Sequence, residues 1–102
     1  MTDKTINHRK DITIWLEQEG VSMDITFDCT ISITHTTAAP GQRSRIVEIH
    51  SAEPIHVSYS DRDDNEITWH YGDNMPLAIV KALDRFDGII TRQIREEAEE
   101  IQ

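Results

Sequence analysis

The alternation of apolar and polar residues from position 21 to position 34 most restricts what this chain can fold into. Odd positions carry Val, Met, Ile, Phe or Cys, and even positions carry Ser, Thr or Asp. Successive side chains of a β-strand point to opposite faces, so the pattern predicts a strand with one buried and one solvated face. The length of the stretch predicts a strand that is bent or shared between two neighbours.

Shorter alternating stretches lie on both sides of this strand. Ile12, Ile14 and Leu16 alternate with polar residues, and residues 18–20 then supply a turn in which Gly20 can adopt positive φ. Further strands are predicted at 45–50, 55–59 and 67–71, and Pro54 predicts a bulge, a kink or an edge position. The last hairpin is expected to turn four residues toward the core: Tyr59, Ile67, Trp69 and Tyr71.

The period changes to that of a helix after Gly72. Pro76 suits a first helical turn, and apolar residues then recur every three or four positions up to Ile101. Gly88 predicts a kink or a split into two helices. The predicted fold is α+β: a four- to five-stranded antiparallel meander covered on one face by a long C-terminal helix. A single domain over 1–102 is expected, with a flexible arm at 1–9, the sheet at 10–72 and the helix at 74–101.

The composition excludes several classes of function. The net charge is −9, with 19 acidic and 10 basic residues, which argues against direct binding of nucleic acids or anionic membranes. Cys29 is the only cysteine, so an intrachain disulfide is impossible. The N-terminus has no apolar leader segment and no stretch is long enough to cross a membrane, so a cytoplasmic protein is expected.

The histidines are the candidates for chemistry at neutral pH. If Tyr59 pairs with Ile67, His56 falls directly opposite His70 on the polar face, and His50 is the third weak candidate for a metal ligand. A zinc site needs three or four ligands, and Cys29 is expected to be buried in the core. We therefore predict no metal site, no cofactor and no catalytic residues, and a small metal-dependent enzyme or sensor is the second alternative.

The acidic residues of the last third suggest a binding function instead. Residues 61–66 resemble the start of a calcium loop, but Glu66 stands where that loop needs glycine. Four glutamates crowd the last helical turn against the helix dipole, which is locally unfavourable and suggests docking on a basic surface. Trp15 either is an exposed contact residue or packs under the arm or a loop. The candidate partner-binding residues are Asp61, Asp63, Asp64, Glu66, Glu96, Glu97, Glu99, Glu100 and Trp15.

These features favour a non-enzymatic protein-interaction module with a protein partner that has a basic surface. In size and charge the chain resembles the small acidic proteins with which phages inhibit host defence complexes, the anti-CRISPR and anti-restriction proteins. This resemblance implies an inhibitor that covers a nucleic-acid-binding site, and it assigns no residues. The first alternative is a structural or assembly subunit that forms a homodimer through the long second strand or through the helix.

Overall fold

The computed structural model describes residues 3–39 and 42–101. These residues form an α+β fold. Four strands, β1 (Asp3–Gln18), β2 (Val21–Ala39), β3 (Gln42–Ser60) and β4 (Glu66–His70), precede two helices, α1 (Leu77–Arg85) and α2 (Asp87–Glu99). The strands form one antiparallel sheet in the order β1-β2-β3-β4. The predicted α+β fold with an antiparallel meander is confirmed; the sheet has four strands, and two helices stand where one long helix was predicted.

Strand β1 begins at Asp3, so the prediction of a flexible arm at 1–9 is wrong for the part of it that the structure describes. Its register with β2 is unbroken from Asp3 opposite Thr36 to Gln18 opposite Val21. The segment lacks an apolar period because its inner side chains include Lys4, His8 and Lys10. Backbone pairing with the long β2 therefore forms this half of the strand without an apolar pattern of its own.

The turn between β1 and β2 has the shape that the two-residue loop requires. Glu19 and Gly20 both have positive φ, 51° and 83°. Positive φ at both central positions is the property of a type I′ turn, whose twist matches that of the flanking strands. The predicted turn at residues 18–20 is confirmed.

Strand β3 contains two β-bulges, which explain why its alternation is interrupted in the sequence. Thr30 pairs with Ser51 and Ile31 with Ile49, which leaves His50 as an extra residue, and Ile55 is extra between Pro54 and His56. Each bulge reverses the parity of the apolar positions. The stretches predicted at 45–50 and 55–59 thus belong to one strand, and the sheet has four strands.

The core lies between the helices and one face of the sheet, which we call the inner face. The buried side chains are Ile12, Ile14, Leu16, Met23, Ile25, Phe27, Cys29, Ile31, Ile33, Val47, Val57, Tyr59 and Trp69 of the sheet, and Ile79, Ala82, Phe86, Ile90, Ile94 and Ala98 of the helical segment. All the odd positions of β2 from 23 to 33 are buried, as their alternation predicts.

The helical region is divided at Phe86 and not at Gly88. Phe86 has φ −102° and ψ 18°, and its buried ring belongs to the core between α1 and α2. Gly88 lies inside the first turn of α2. The predicted split is confirmed, but packing of an aromatic side chain places it two residues earlier than the glycine.

Three other predictions about the fold need correction. Tyr71 is 73% exposed because β4 ends at His70 and the chain turns away, so it does not share the core face with Trp69. Leu77 and Val80 of the predicted apolar stripe are also exposed. From Val21 to Thr36, strand β2 lies between β1 and β3, so this part of it has no free edge for the predicted pairing with a second copy. None of the described helices is both long enough and apolar enough to cross a membrane.

Candidate interaction surface

The two faces of the sheet carry opposite charge. We call the face turned away from the helices the outer face, and cross-strand pairs such as Asp11 with Asp28 and Asp28 with Glu53 assign residues to it. Among its described side chains seven are carboxylates and one is a guanidinium: Asp11, Glu17, Asp24, Asp28, Glu48, Glu53 and Glu66, against Arg9. The charged side chains described on the inner face of the sheet are all basic: Lys4, Lys10 and Arg45.

Trp15 projects from this acidic outer face. It is 57% exposed, which answers the question that the sequence left open. One straight row crosses the four strands from Trp15 through Asp24 and Ser58 to Thr68. These residues line a shallow depression of about 250 Å³ that also includes Glu66. The structure thus combines a large aromatic surface with two carboxylates on rigid strands.

The acidic hairpin tip, residues 61–66 where β3 connects to β4, is stabilised by hydrogen bonds to the carboxylate of Asp61. The carboxylate of Asp61 accepts hydrogen bonds from the hydroxyl of Tyr59 at 2.8 Å, from the backbone N–H of Asp63 at 2.9 Å, and from the side-chain amide of Asn65 at 3.1 and 3.2 Å. These hydrogen bonds lower the pKa of Asp61, and the bond from Asn65 makes the largest contribution. The pKa of the Tyr59 hydroxyl is raised, mainly because the group is removed from water and secondly because it donates a hydrogen bond to Asp61.

Asp61 is therefore a residue of the turn, whereas its neighbours are available to a partner. Asp63, Asp64 and Glu66 are all exposed, and Asp64 has φ 60°. Glu66 pairs with Ser60 at the end of the outer face, one row away from Trp15. Glu66 thus shares the depression with Trp15, and Asp63 and Asp64 lie in the turn just before it.

The C-terminal glutamates lie elsewhere. Glu96, Glu97, Glu99 and Glu100 are exposed, and the expected i,i+4 pairs form between Arg92 and Glu96 at 4.0 Å and between Arg95 and Glu99 at 3.5 Å. Arg45 Nη1 donates a hydrogen bond to the Glu99 carbonyl oxygen at 2.6 Å, which places a cation at the negative end of the α2 dipole.

The two acidic groups cannot act as one surface. Arg45, which contacts the end of α2, pairs with His35 of β2. The hairpin tip follows Ser60, which pairs with Ser22 at the other end of β2. Thirteen residues of β2 separate these rows, a distance of about 40 Å along the strand. The glutamates also lie on the helical side of the sheet, away from Trp15. The nine residues that the sequence grouped as one partner-binding set are thus divided by the fold.

The predicted register of the histidine hairpin is confirmed, since His56 lies directly opposite His70. The ring centroids are 4.7 Å apart at an interplanar angle of 61°. His50 is the extra residue of a bulge several rows away, where its Nε2 is 2.9 Å from the Ser32 hydroxyl. Within the described residues no three His, Cys, Asp or Glu side chains come together as metal ligands.

Cys29 is in the core, as its place in the alternation predicts. It is fully buried, and burial raises the pKa of its thiol to about 11. A thiol needs a lowered pKa and access to solvent to act as a nucleophile at neutral pH. The arrangement around Cys29 therefore serves packing.

One ion pair of the outer face was not anticipated from the sequence. Arg9 Nε donates to both carboxylate oxygens of Asp28, at 3.0 and 3.2 Å. This contact lowers the pKa of Asp28. The sequence does not predict this ion pair, because Arg9 lies in the predicted arm and only the register of β1 with β2 brings the two side chains together.

Comparison of the chain with protein-family models, with curated proteins and with solved structures gave no match in any of the three.

Proposed function

We propose that this protein is a non-enzymatic interaction module whose outer sheet face binds a basic surface of a protein partner, with Trp15 as the central contact. The observation that carries the proposal is the exposed Trp15 on a face with seven carboxylates and one guanidinium. Tryptophan is enriched among the few residues that dominate binding energy at interfaces. Opposite charge on the partner speeds association and selects among partners.

The separation of charge between the two faces supports this surface over the C-terminal glutamates. A protein that uses acidic residues only for solubility has no need to concentrate them on one face of its sheet and leave the cations on the other. The outer face is also built on strands, and sites on regular elements are positioned more precisely than sites on loops. The cluster of Glu96, Glu97, Glu99 and Glu100 then acts at most through long-range attraction.

The spacing of carboxylates on the outer face is too wide for this face to imitate a nucleic acid by charge alone. Duplex DNA carries one charge per 1.7 Å of axis. Seven carboxylates along a molecule 58 Å long amount to about one per 8 Å, several times fewer than on a nucleic acid. Attraction to a nucleic-acid-binding groove would therefore guide the encounter, and Trp15 would provide the specific contact. Inhibition of a host defence complex, the activity of the phage proteins of similar size and charge, is the form of this function that we propose.

A matched pair of variants tests the location of the surface. The outer variant is Asp24→Asn, Glu48→Gln, Glu53→Gln and Glu66→Gln; the tail variant is Glu96→Gln, Glu97→Gln, Glu99→Gln and Glu100→Gln. Each removes four negative charges, so the two have the same net charge. Tagged wild-type and variant proteins would be used at low and moderate salt to capture partners from host lysate, followed by mass spectrometry and by measurement of affinity with the purified partner.

We expect a basic, nucleic-acid-handling partner that the tail variant retains and that both the outer variant and Trp15→Ala lose. Binding should weaken as salt is raised. Retention of the partner by the outer variant and loss by the tail variant would show that the wrong surface has been chosen. A partner that none of the three variants affects would refute the proposal as a whole.

A further inference from the structure

Strand β1 offers a long, regular edge to another strand. It has 16 residues, and within the described part of the chain it pairs only with β2. The two-residue turn makes Gln18 and Val21 a hydrogen-bonded pair. Because such pairs alternate with non-hydrogen-bonded pairs along an antiparallel ladder, the backbone groups of the even residues of β1 bond to β2. The N–H and C=O groups of the odd residues, from Thr5 to Glu17, point to the free edge.

The opposite side of the sheet is built differently. Beyond β4, the free part of β3 contains the bulges at His50 and Ile55 and also Pro54. Bulges, prolines and short edge strands are devices that prevent edge-to-edge association in natural sheets. The register of β1 with β2 shows no shift over its whole length, and β1 contains no proline. One edge is therefore protected and the other is open.

The charges of β1 favour a second copy of the chain at this edge. The chain as a whole has a net charge of −9, but β1 carries three acidic residues, Asp3, Asp11 and Glu17, and three basic ones, Lys4, Arg9 and Lys10. Two copies of an acidic protein meet with least repulsion where each is neutral. Asp11 also forms no ion pair within the described part of its own chain.

We propose that the protein forms a twofold dimer in which β1 pairs antiparallel with β1 of a second copy, centred on Lys10. This register overlaps nearly the full strand and keeps the inner faces of both sheets on the same side. It places Arg9 opposite Asp11 of the second copy, twice. On the inner face it places Ile6, which is 39% exposed, opposite Ile14 of the second copy.

The two Lys10 side chains meet at the axis, where their long stems allow the ammonium groups to diverge into solvent. The product is a continuous eight-stranded sheet whose outer face displays Trp15 from both copies. The dimer uses the backbone edge of β1 and the Arg9–Asp11 pair across it, whereas the proposed partner would contact Trp15 and the carboxylates of β2, β3 and β4. Different variants therefore test the two interactions.

Cross-linking tests the register. In a Cys29→Ala background, which removes the native thiol opposite position 10, Lys10→Cys should form a disulfide-linked dimer on mild oxidation. Thr13→Cys is the control, because in this register residue 13 faces Asn7 of the second copy and lies about 20 Å from its own equivalent. Cross-linking through Thr13→Cys and not through Lys10→Cys would overturn the proposal.

Sedimentation analysis of soluble variants tests the edge itself. Asn7→Pro removes an N–H that points away from β2, so the fold is kept while the dimer dissociation constant should rise on the order of tenfold or more. Asp11→Arg, which places a second cation opposite Arg9 of the second copy, should weaken the dimer. A monomeric wild-type protein at all attainable concentrations, or a dimer indifferent to Asn7→Pro, would refute self-association through β1.

Discussion

The guanidinium of Arg9 spans the outer face diagonally to Asp28, and its Nε donates to both oxygens of that carboxylate at 3.0 and 3.2 Å. The contact connects the first half of β1, which has no apolar period, to the central strand. It also lowers the pKa of Asp28 from its ordinary value of 3.8. The hydrogen bonds of the hairpin tip lower the pKa of Asp61 in the same direction.

The two lowered pKa values predict loss of stability in acid. A carboxyl group whose pKa is lower in the folded state than in the unfolded state stabilises the fold above its unfolded pKa, and this contribution disappears as the pH falls through the folded pKa. We expect the free energy of unfolding, measured in urea, to decrease from about pH 5 downward. Asp28→Asn and Asp61→Asn should each reduce the steepness of that decrease. An unchanged pH profile in both variants would contradict this assignment.

The helix residues Ile79 and Leu77 provide a matched test of the core. Both belong to the apolar stripe in the sequence, yet Ile79 is fully buried and Leu77 is 66% exposed. Ile79→Ala should reduce the free energy of unfolding by about 2–5 kcal/mol, because it removes packed atoms and leaves a cavity. Leu77→Ala should change it by less than about 0.5 kcal/mol. Equal losses in chemical denaturation would mean that α1 packs through a different face.

The glycines allow a test of backbone conformation. Gly20 has φ 83°, which costs an alanine roughly 1–2 kcal/mol, and an added Cβ would also displace the flexible side chain of Arg62. Gly20→Ala should therefore be destabilising. Gly88 has an ordinary helical conformation with open space around it, so Gly88→Ala should be neutral or stabilising by up to about 1 kcal/mol. The melting temperature of Gly20→Ala should fall below that of the wild-type protein, and that of Gly88→Ala should not.

The histidine pair makes a prediction about metal ions. His56 and His70 are close enough to share a divalent cation, while His50 is held by Ser32 in another part of the face. Two ligands are fewer than zinc sites use, so binding of Zn²⁺ or Ni²⁺ should be weak. Calorimetry should show that His56→Ala or His70→Ala abolishes whatever binding occurs and that His50→Ala preserves it. Dependence on His50 would require a different arrangement of β3.

Much of the fold follows from periodicity in the sequence. The alternation of β2 determines which side chains it buries, and the helical period after Gly72 identifies the elements that cover them. The polar residues between Tyr59 and Ile67 define a short hairpin, so the position of His56 opposite His70 follows from the residues themselves. These features are local, because the side-chain direction within one element depends only on backbone geometry.

The tertiary structure alone decided which rows of residues become neighbours. Pairing with β2 extended β1 into a segment without a pattern, bulges at His50 and Ile55 reversed the parity of β3, and the end of β4 left Tyr71 exposed. The same pairings brought the carboxylates of four strands onto the outer face that also carries Trp15, and they placed the hairpin tip and the C-terminal glutamates at distant positions. Periodicity assigns a residue to a side of its own strand or helix, but contact between residues far apart in the chain depends on register, which backbone hydrogen bonds and core packing determine together.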